Sequence, residues 1–398
     1  RQNFDEIWNG AAMAAVRAQM LRGERVPGCQ KCYDREDAGM ASPRQLYNEK
    51  RGHLFDRVVD SRFDGSAPRA EPVTWDIRFS NICNYRCRSC WHGSSSRWFA
   101  DGVAVGLTAG DQAIIHGVED AAALFTQLDS FLPHLEEVYF AGGEPLMMEE
   151  HYRLLDLLIA RGRADVALRY NTNLSLLAYK ERDVLDLWNK FTNVMVSASI
   201  DASGARGELM RKEQNWQETV ENARRVRARS PHVRFCTDTT VSIFNVLHLP
   251  ALFRELAALD FVPVERMDMH ILLDPPFYNI RILPRAWKAK VRAALAELEE
   301  WFAEHVPASR EGEAALAAHR GKLGEIAAYM DSEDWSHLLP RFREAVVRID
   351  GLRAEATREV FPELAPLLDR GNERRHGWFH WKTLQARLRG RGSVSPTR

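Results

Sequence analysis

The chain has 398 residues, 45% of them hydrophobic, and a net charge of −1. That length supports one large or two ordinary domains with full cores, and the balanced charge excludes the global basic field of a dedicated nucleic-acid binder. No apolar run reaches membrane-spanning length and no signal peptide opens the chain, so a cytoplasmic protein without membrane contact is expected. The first residue is Arg1 and not Met, so a natural N-terminus further upstream is expected. Of six cysteines, five fall in two tight groups, a usage that favours metal binding in a reducing compartment over a disulfide scaffold.

In chain order, residues 4–22 carry apolar side chains at helical spacing, until Gly23 and Pro27-Gly28 stop the pattern. Cys29 and Cys32 follow as a C-x2-C pair, half of a tetrahedral or cubane site. A second helix is predicted from Arg35 to about Lys50, and the polar stretch Ser61–Glu71 reads as a linker. From Val73 the rhythm becomes strand, loop, helix. Strands are predicted at 73–79, 136–141, 165–170, 192–200, 233–242 and 262–272, with helices at 118–131, 147–162, 178–190, 214–229 and 247–258. Such alternation predicts an α/β fold with a parallel sheet and right-handed crossovers. Six units suggest a partial (β/α)6 barrel of TIM type over 72–284, with chemistry at the C-terminal strand ends. Beyond it, helices are predicted at 287–302, 311–330 and 341–358 within a helical region reaching 369. The Arg-rich stretch 370–398, with Trp378, Phe379, His380 and Trp381, reads as a flexible tail.

Two motifs carry the chemistry. Cys83, Cys87 and Cys90 form C-x3-C-x2-C directly after the first strand. Three thiolates on one loop can hold a four-iron cube and leave one iron open to a substrate or cofactor. The bland alternatives are three buried thiols or part of a zinc knuckle. Ala141-Gly142-Gly143-Glu144-Pro145 follows the second strand, where two glycines let backbone approach a ligand. Later strand ends offer Asn173, then Ser197, Ser199 and Asp201 on one face by alternation. The fifth strand carries Cys236, a small buried hydrophobe or a hydrogen donor, and Asp238. Tyr139, His270 and Tyr278 are further candidates at the barrel mouth.

The cysteine spacing and the GGEP turn together resemble the radical S-adenosylmethionine (SAM) superfamily. That resemblance implies a [4Fe–4S] cluster on Cys83, Cys87 and Cys90, whose open iron chelates SAM. The reduced cluster then cleaves SAM to methionine and a 5′-deoxyadenosyl radical, which abstracts hydrogen from a substrate. It also implies SAM contacts from Gly142, Gly143, Glu144, Pro145, Asn173, Ser199 and Asp201, with Arg211 at the SAM carboxylate. The family's aromatic residue before the third cysteine is Ser89 here, and Trp91 after it is the remaining ring for adenine. Cys236, Asp238 and Tyr139 are the candidate catalytic residues. The setting of Cys29 and Cys32, with Glu6-Ile-Trp-Asn9 and Arg44-Gln-Leu-Tyr-Asn-Glu49, is similar to the N-terminal extension of relatives with a twitch or SPASM-like domain. It makes residues 1–60 the end of such a segment, bearing part of an auxiliary cluster. The relatives point to a peptide substrate, as in maturation of ribosomally made peptides, and to a flavodoxin- or ferredoxin-type reductant. Modification of RNA, a nucleoside or a small molecule is the alternative, and a non-catalytic zinc- or iron–sulfur-binding interaction protein is the reading from another class.

Overall fold

The computed structural model describes residues 3–37, 41–59, 61–67 and 71–369. The Arg-rich tail, and part of the segment read as a linker, lie outside these residues. Six strands form one sheet: β1 (Thr74–Ile77), β2 (Glu137–Phe140), β3 (Ala167–Thr172), β4 (Val194–Ser199), β5 (Arg234–Val241) and β6 (Met267–Ile271). They stand in sequence order, and every neighbouring pair is parallel. Among the described residues β6 does not pair back to β1, so this is an open, partial barrel of the predicted (β/α)6 kind.

Alternation assigns the two faces of the sheet. Val138, Phe140, Leu168, Tyr170, Val196, Phe235 and Met267 are buried against the helices Glu149–Ala160, Val184–Trp188, Trp216–Arg229 and Leu249–Ala258, and the core lies in this outer layer. The opposite face carries Asp76, Tyr139, Arg169, Asn171, Ser197, Ser199, Asp238 and His270, all half-buried or exposed. Closed barrels fill their interior with layers of branched apolar side chains. This one lines it with polar groups, which need partners and water.

Three predicted helices are divided or shortened. Residues 4–22 split into Phe4–Asn9 and Ala11–Leu21, because Gly10 is extended and ends the first, capping-box helix. Residues 35–50 contain the end of Gln30–Asp37 and then Pro43–Lys50, restarted by a Ser42 capping box. Residues 178–183 form a short antiparallel ribbon, Ala178–Tyr179 with Arg182–Asp183, before Asp183 caps the helix Val184–Trp188. The helices Trp98–Ala104 and Gly204–Met210 were not predicted; both are short and carry glycine. The C-terminal helices are Arg285–His305, Arg310–Ser332 and Leu339–Arg353, the last stopped where Ala354 turns left-handed at φ 51°.

The N-terminal segment docks on both margins of the sheet. Arg51 binds Glu136 at 2.6 Å and Thr74 at 2.7 Å, and Lys50 pairs with Glu137. On the other side Arg35 reaches Glu325 of helix Arg310–Ser332 at 3.0 Å. Burial disfavours ionised Glu137, yet Lys50 and Arg169 hold its carboxyl below the usual range. No described helix is long and apolar enough to cross a membrane.

Candidate active site

The cysteine loop has no helix or strand between Cys83 and Cys90, so its shape comes from hydrogen bonds to other elements. Arg86 N donates to Lys212 O at 3.1 Å and Arg88 N to Met210 O at 2.7 Å, which lays the loop along the segment bearing Arg211. Trp98 Nε1 donates to Cys87 O at 2.7 Å, and Ser95 Oγ donates to Tyr85 O at 2.5 Å.

The GGEP turn packs on the start of that loop. Gly142 and Gly143 have φ of 80° and 56°, which L side chains rarely adopt. A Cβ on Gly143 would lie 2.1 Å from Ile82 O, and one on Gly142 would lie 2.9 Å from Arg78 Cβ. Glu144 N donates to Ile82 O at 2.7 Å, beside Cys83. The Glu144 carboxylate is fully engaged: it accepts from Thr172 Oγ1 (2.7 Å), Asn173 N (2.7 Å) and Leu146 N (3.1 Å). Its side chain therefore ties the turn to the end of β3 and leaves backbone to face a ligand. Burial pushes its pKa upward, and those three donors offset part of the rise. Pro145 is buried and opens a short 3₁₀ turn.

Asn173 joins the strand end to the thiols: its Nδ2 donates to Asn84 Oδ1 at 2.9 Å and lies 3.9 Å from Cys83 Sγ. Asp201 is 1% exposed, pairs with Arg211 Nη1 at 2.9 Å and accepts from Thr240 N at 2.9 Å. Burial opposes the Arg211 charge, but Cys87, Asp201 and Cys90 more than restore it, so the guanidinium stays protonated. The three thiols do not titrate alike. Burial pushes Cys83 up to about 12. The hydrogen bond between Cys87 and Cys90 lowers Cys87 to about 7 and raises Cys90 well above the usual thiol value. Thiols crowded with one thiolate beside a fixed guanidinium suit a cationic metal cluster, which removes their protons.

Three thiols on one loop fit a [4Fe–4S] cluster. A cube takes each thiolate on a separate corner. The surroundings also fit SAM: Arg211 Nε and both amide atoms of Gln214 are buried without a partner. Buried polar groups normally have partners, and SAM brings an amino group, a carboxylate and ribose hydroxyls. Gln214 was not singled out by sequence reasoning, since a glutamine after a short helix carries no motif; its burial next to Gly207 of that helix is what draws notice.

The remaining candidates are spread. Ser199 stands opposite Asp238 on the polar face. Trp91 is 66% exposed, and its ring lies over Gly93 of its own loop, where a Cβ would meet it at 2.4 Å. Tyr139 Oη donates to Asn171 Oδ1 at 3.1 Å, and Asn171 Nδ2 donates to Asp238 Oδ2 at 3.2 Å. Asp238 Oδ1 lies 2.7 Å from His270 Nδ1, and His270 Nε2 lies 3.0 Å from Thr240 Oγ1. Burial works against both charges, yet each group stabilises the other: Asp238 sits below the usual carboxyl range and His270 above the usual imidazole value. Tyr139 is raised by burial. Cys236 is 5% exposed, one inward position below Asp238 and further from the thiols, with its pKa raised by burial. Tyr278 is buried against Phe244 and Phe342, a core ring and not a mouth residue. Cys29 and Cys32 lie half-buried in the N-terminal segment, at the turn into helix Gln30–Asp37.

A parallel sheet carrying a three-thiol loop after its first strand is the arrangement of a partial barrel with its chemistry at the strand ends. Residues 77–247 match the model of the radical SAM superfamily, and this segment is a radical SAM domain, the unit that defines that class of enzymes. No curated protein matches the chain at a significant level. Among solved structures it is similar to anSMEcpe with bound AdoMet, at 18% identity over 58% of each chain with a TM-score of 0.44. It is also similar to Streptococcus suis SuiB bound to S-adenosylmethionine, at 12% identity over 67% of this chain and 55% of that one, TM-score 0.43. TYW1 with a lysine-pyruvate adduct bound gives 13% identity over 58% and 72%, TM-score 0.34. The chain thus aligns with under two thirds of the anSMEcpe and SuiB chains.

Proposed function

We propose that this chain binds a [4Fe–4S] cluster through Cys83, Cys87 and Cys90 and uses it to cleave SAM and open a C–H bond of a peptide substrate. When bound, the reduced cluster supplies the electron that splits SAM into methionine and a hydrogen-abstracting 5′-deoxyadenosyl radical. The observation that carries the reading is the Glu144 tie, which locks the GGEP turn between Ile82 of the cysteine loop and Thr172–Asn173 of β3. It leaves the Gly142–Gly143 backbone free for the SAM amino group, with Arg211 and Gln214 for the carboxylate and Asn173, Ser199 and Asp201 nearby for the ribose.

The substrate lies on the polar inner face. Asn171, Ser197, Ser199 and the Asp238–His270 pair offer both donors and acceptors, which suits the regular amides of an extended peptide. Asp238 and Tyr139 orient it, and Cys236 lies one layer deeper. The twitch or SPASM-like resemblance of the N-terminal segment favours a peptide and assigns Cys29 and Cys32 to an auxiliary cluster. A flavodoxin- or ferredoxin-type protein is the electron donor. Anaerobic reconstitution with iron and sulfide, followed by dithionite and SAM, is expected to yield 5′-deoxyadenosine. Deuterium from a labelled peptide should then appear in that product. A preparation that binds zinc without iron, or leaves SAM whole, sinks the reading.

A further inference from the structure

Arg88 sits between the second and third cysteines, and its side chain is 1% exposed. Its guanidinium pairs with Asp350 of helix Leu339–Arg353 and with Glu355 Oε2 at 2.6 Å, both more than 250 residues away in sequence. A second tie runs beside it. Arg353 Nε donates to Asp101 Oδ2 at 2.8 Å, and Asp101 Oδ1 accepts from Arg86 Nη1 at 2.9 Å. The Arg353 guanidinium also covers the ring of Trp98, 5.3 Å from its centroid, and Trp98 is the donor to Cys87 O. A third tie joins Glu355 to Lys212, next to Arg211, at 3.1 Å. Asp350 is itself held by Thr357, whose N and Oγ1 donate to it at 2.9 and 2.7 Å.

We propose that the C-terminal helical region is a working part of the cluster site: Asp350, Arg353 and Glu355 are positioning residues that hold the cysteine loop in its cluster-binding shape. These residues lie beyond 247, where the match to the radical SAM model ends. The loop has no regular secondary structure, so without such ties its backbone is free to sample other shapes. Buried charges with fixed partners serve this purpose better than apolar contacts, because a displaced guanidinium loses its counter-charges and finds no water. The inference rests on the cluster assignment above.

The test compares full-length wild type with Arg88→Met, Arg88→Lys and Glu355→Gln. In the metal-free chains, hydrogen exchange of the peptide spanning 83–98 should accelerate about tenfold in Arg88→Met, while the β2–β4 peptides keep wild-type rates. After reconstitution, Arg88→Met should lose the change that SAM produces in the electron paramagnetic resonance spectrum of the reduced cluster. Its SAM cleavage should fall about tenfold or more, since small misplacements of reacting groups have effects of that size. Arg88→Lys keeps the charge and should recover part of both. If Arg88→Met fails to fold, Glu355→Gln decides by the same readouts with smaller changes. Unchanged exchange at 83–98 and an unchanged spectrum, or exchange that rises equally throughout the sheet, overturns the proposal. A wild type that never cleaves SAM defeats the proposed function instead, and the metal-free exchange still judges the clamp.

Discussion

The two cysteine groups are built differently. Cys83, Cys87 and Cys90 stand on a loop bonded to the GGEP turn, to Met210–Lys212 and, through the Arg88 side chain, to Asp350 of helix Leu339–Arg353 and to Glu355 beyond it. Cys29 ends a short 3₁₀ turn and Cys32 stands in helix Gln30–Asp37 of the N-terminal segment; both are half-buried, and no hydrogen bond of their side chains is seen among the described residues. The first group is held by bonds both to the barrel and to the C-terminal region. The contrast matches the proposed division of work, with SAM cleavage on the first group and an auxiliary cluster at the second.

Replacing Cys83, Cys87 and Cys90 together by Ala should abolish 5′-deoxyadenosine formation and remove the iron bound there. Next in size is Gly143→Ala. Its Cβ would meet Ile82 O at 2.1 Å at a φ of 56°, so the turn must shift, at a cost of about 1–3 kcal/mol in thermal unfolding. SAM affinity should fall with it. Glu144→Gln retains the shape but loses one acceptor, leaving a buried donor unpaired. Destabilisation of about 1–3 kcal/mol is expected, together with weaker SAM binding by calorimetry. Unchanged binding in both variants would mean that the turn is only a β–α connection.

The Asp238–His270 pair tests the polar face. His270 is raised when folded, so its share of stability is complete below the unfolded imidazole value and disappears as pH rises through the higher folded one. Asp238 is lowered, so its share is present above the unfolded carboxyl value and is lost as pH falls through the folded one. Asp238→Asn should therefore move the His270 titration, followed by NMR, down toward its ordinary value. No movement would separate the two groups. The smallest expected effect belongs to Cys29→Ala with Cys32→Ala: SAM cleavage without substrate should hardly change, while turnover of a peptide declines. Equal losses in both reactions would erase the division between the cysteine groups.

Much of this was legible in the sequence because it is periodic or tightly spaced. Five of the six strands fall within their predicted segments and the third, Ala167–Thr172, runs two residues past its own, while the C-x3-C-x2-C loop and GGEP turn meet in space. What sequence could not show are bonds between distant residues. Glu144 reads as a ligand until Thr172 and Asn173 are seen to occupy its carboxylate. Arg211 reads as a partner for the SAM carboxylate, while its Nη1 is already on Asp201 and its Nε is buried without a partner. Gly10 breaks a helix whose apolar spacing continues straight through it, because spacing records the buried face and not the backbone conformation. Arg88 and Glu355 have no motif at all; their pairing depends on how the C-terminal helix folds back over the loop.

The most direct measurement is the yield of 5′-deoxyadenosine from the anaerobically reconstituted, dithionite-reduced chain given SAM, set against the Cys83/Cys87/Cys90→Ala variant. The account predicts product from the wild type, four irons per chain lost in the variant, and no product from it. Product formation that survives the loss of those three thiols would contradict it.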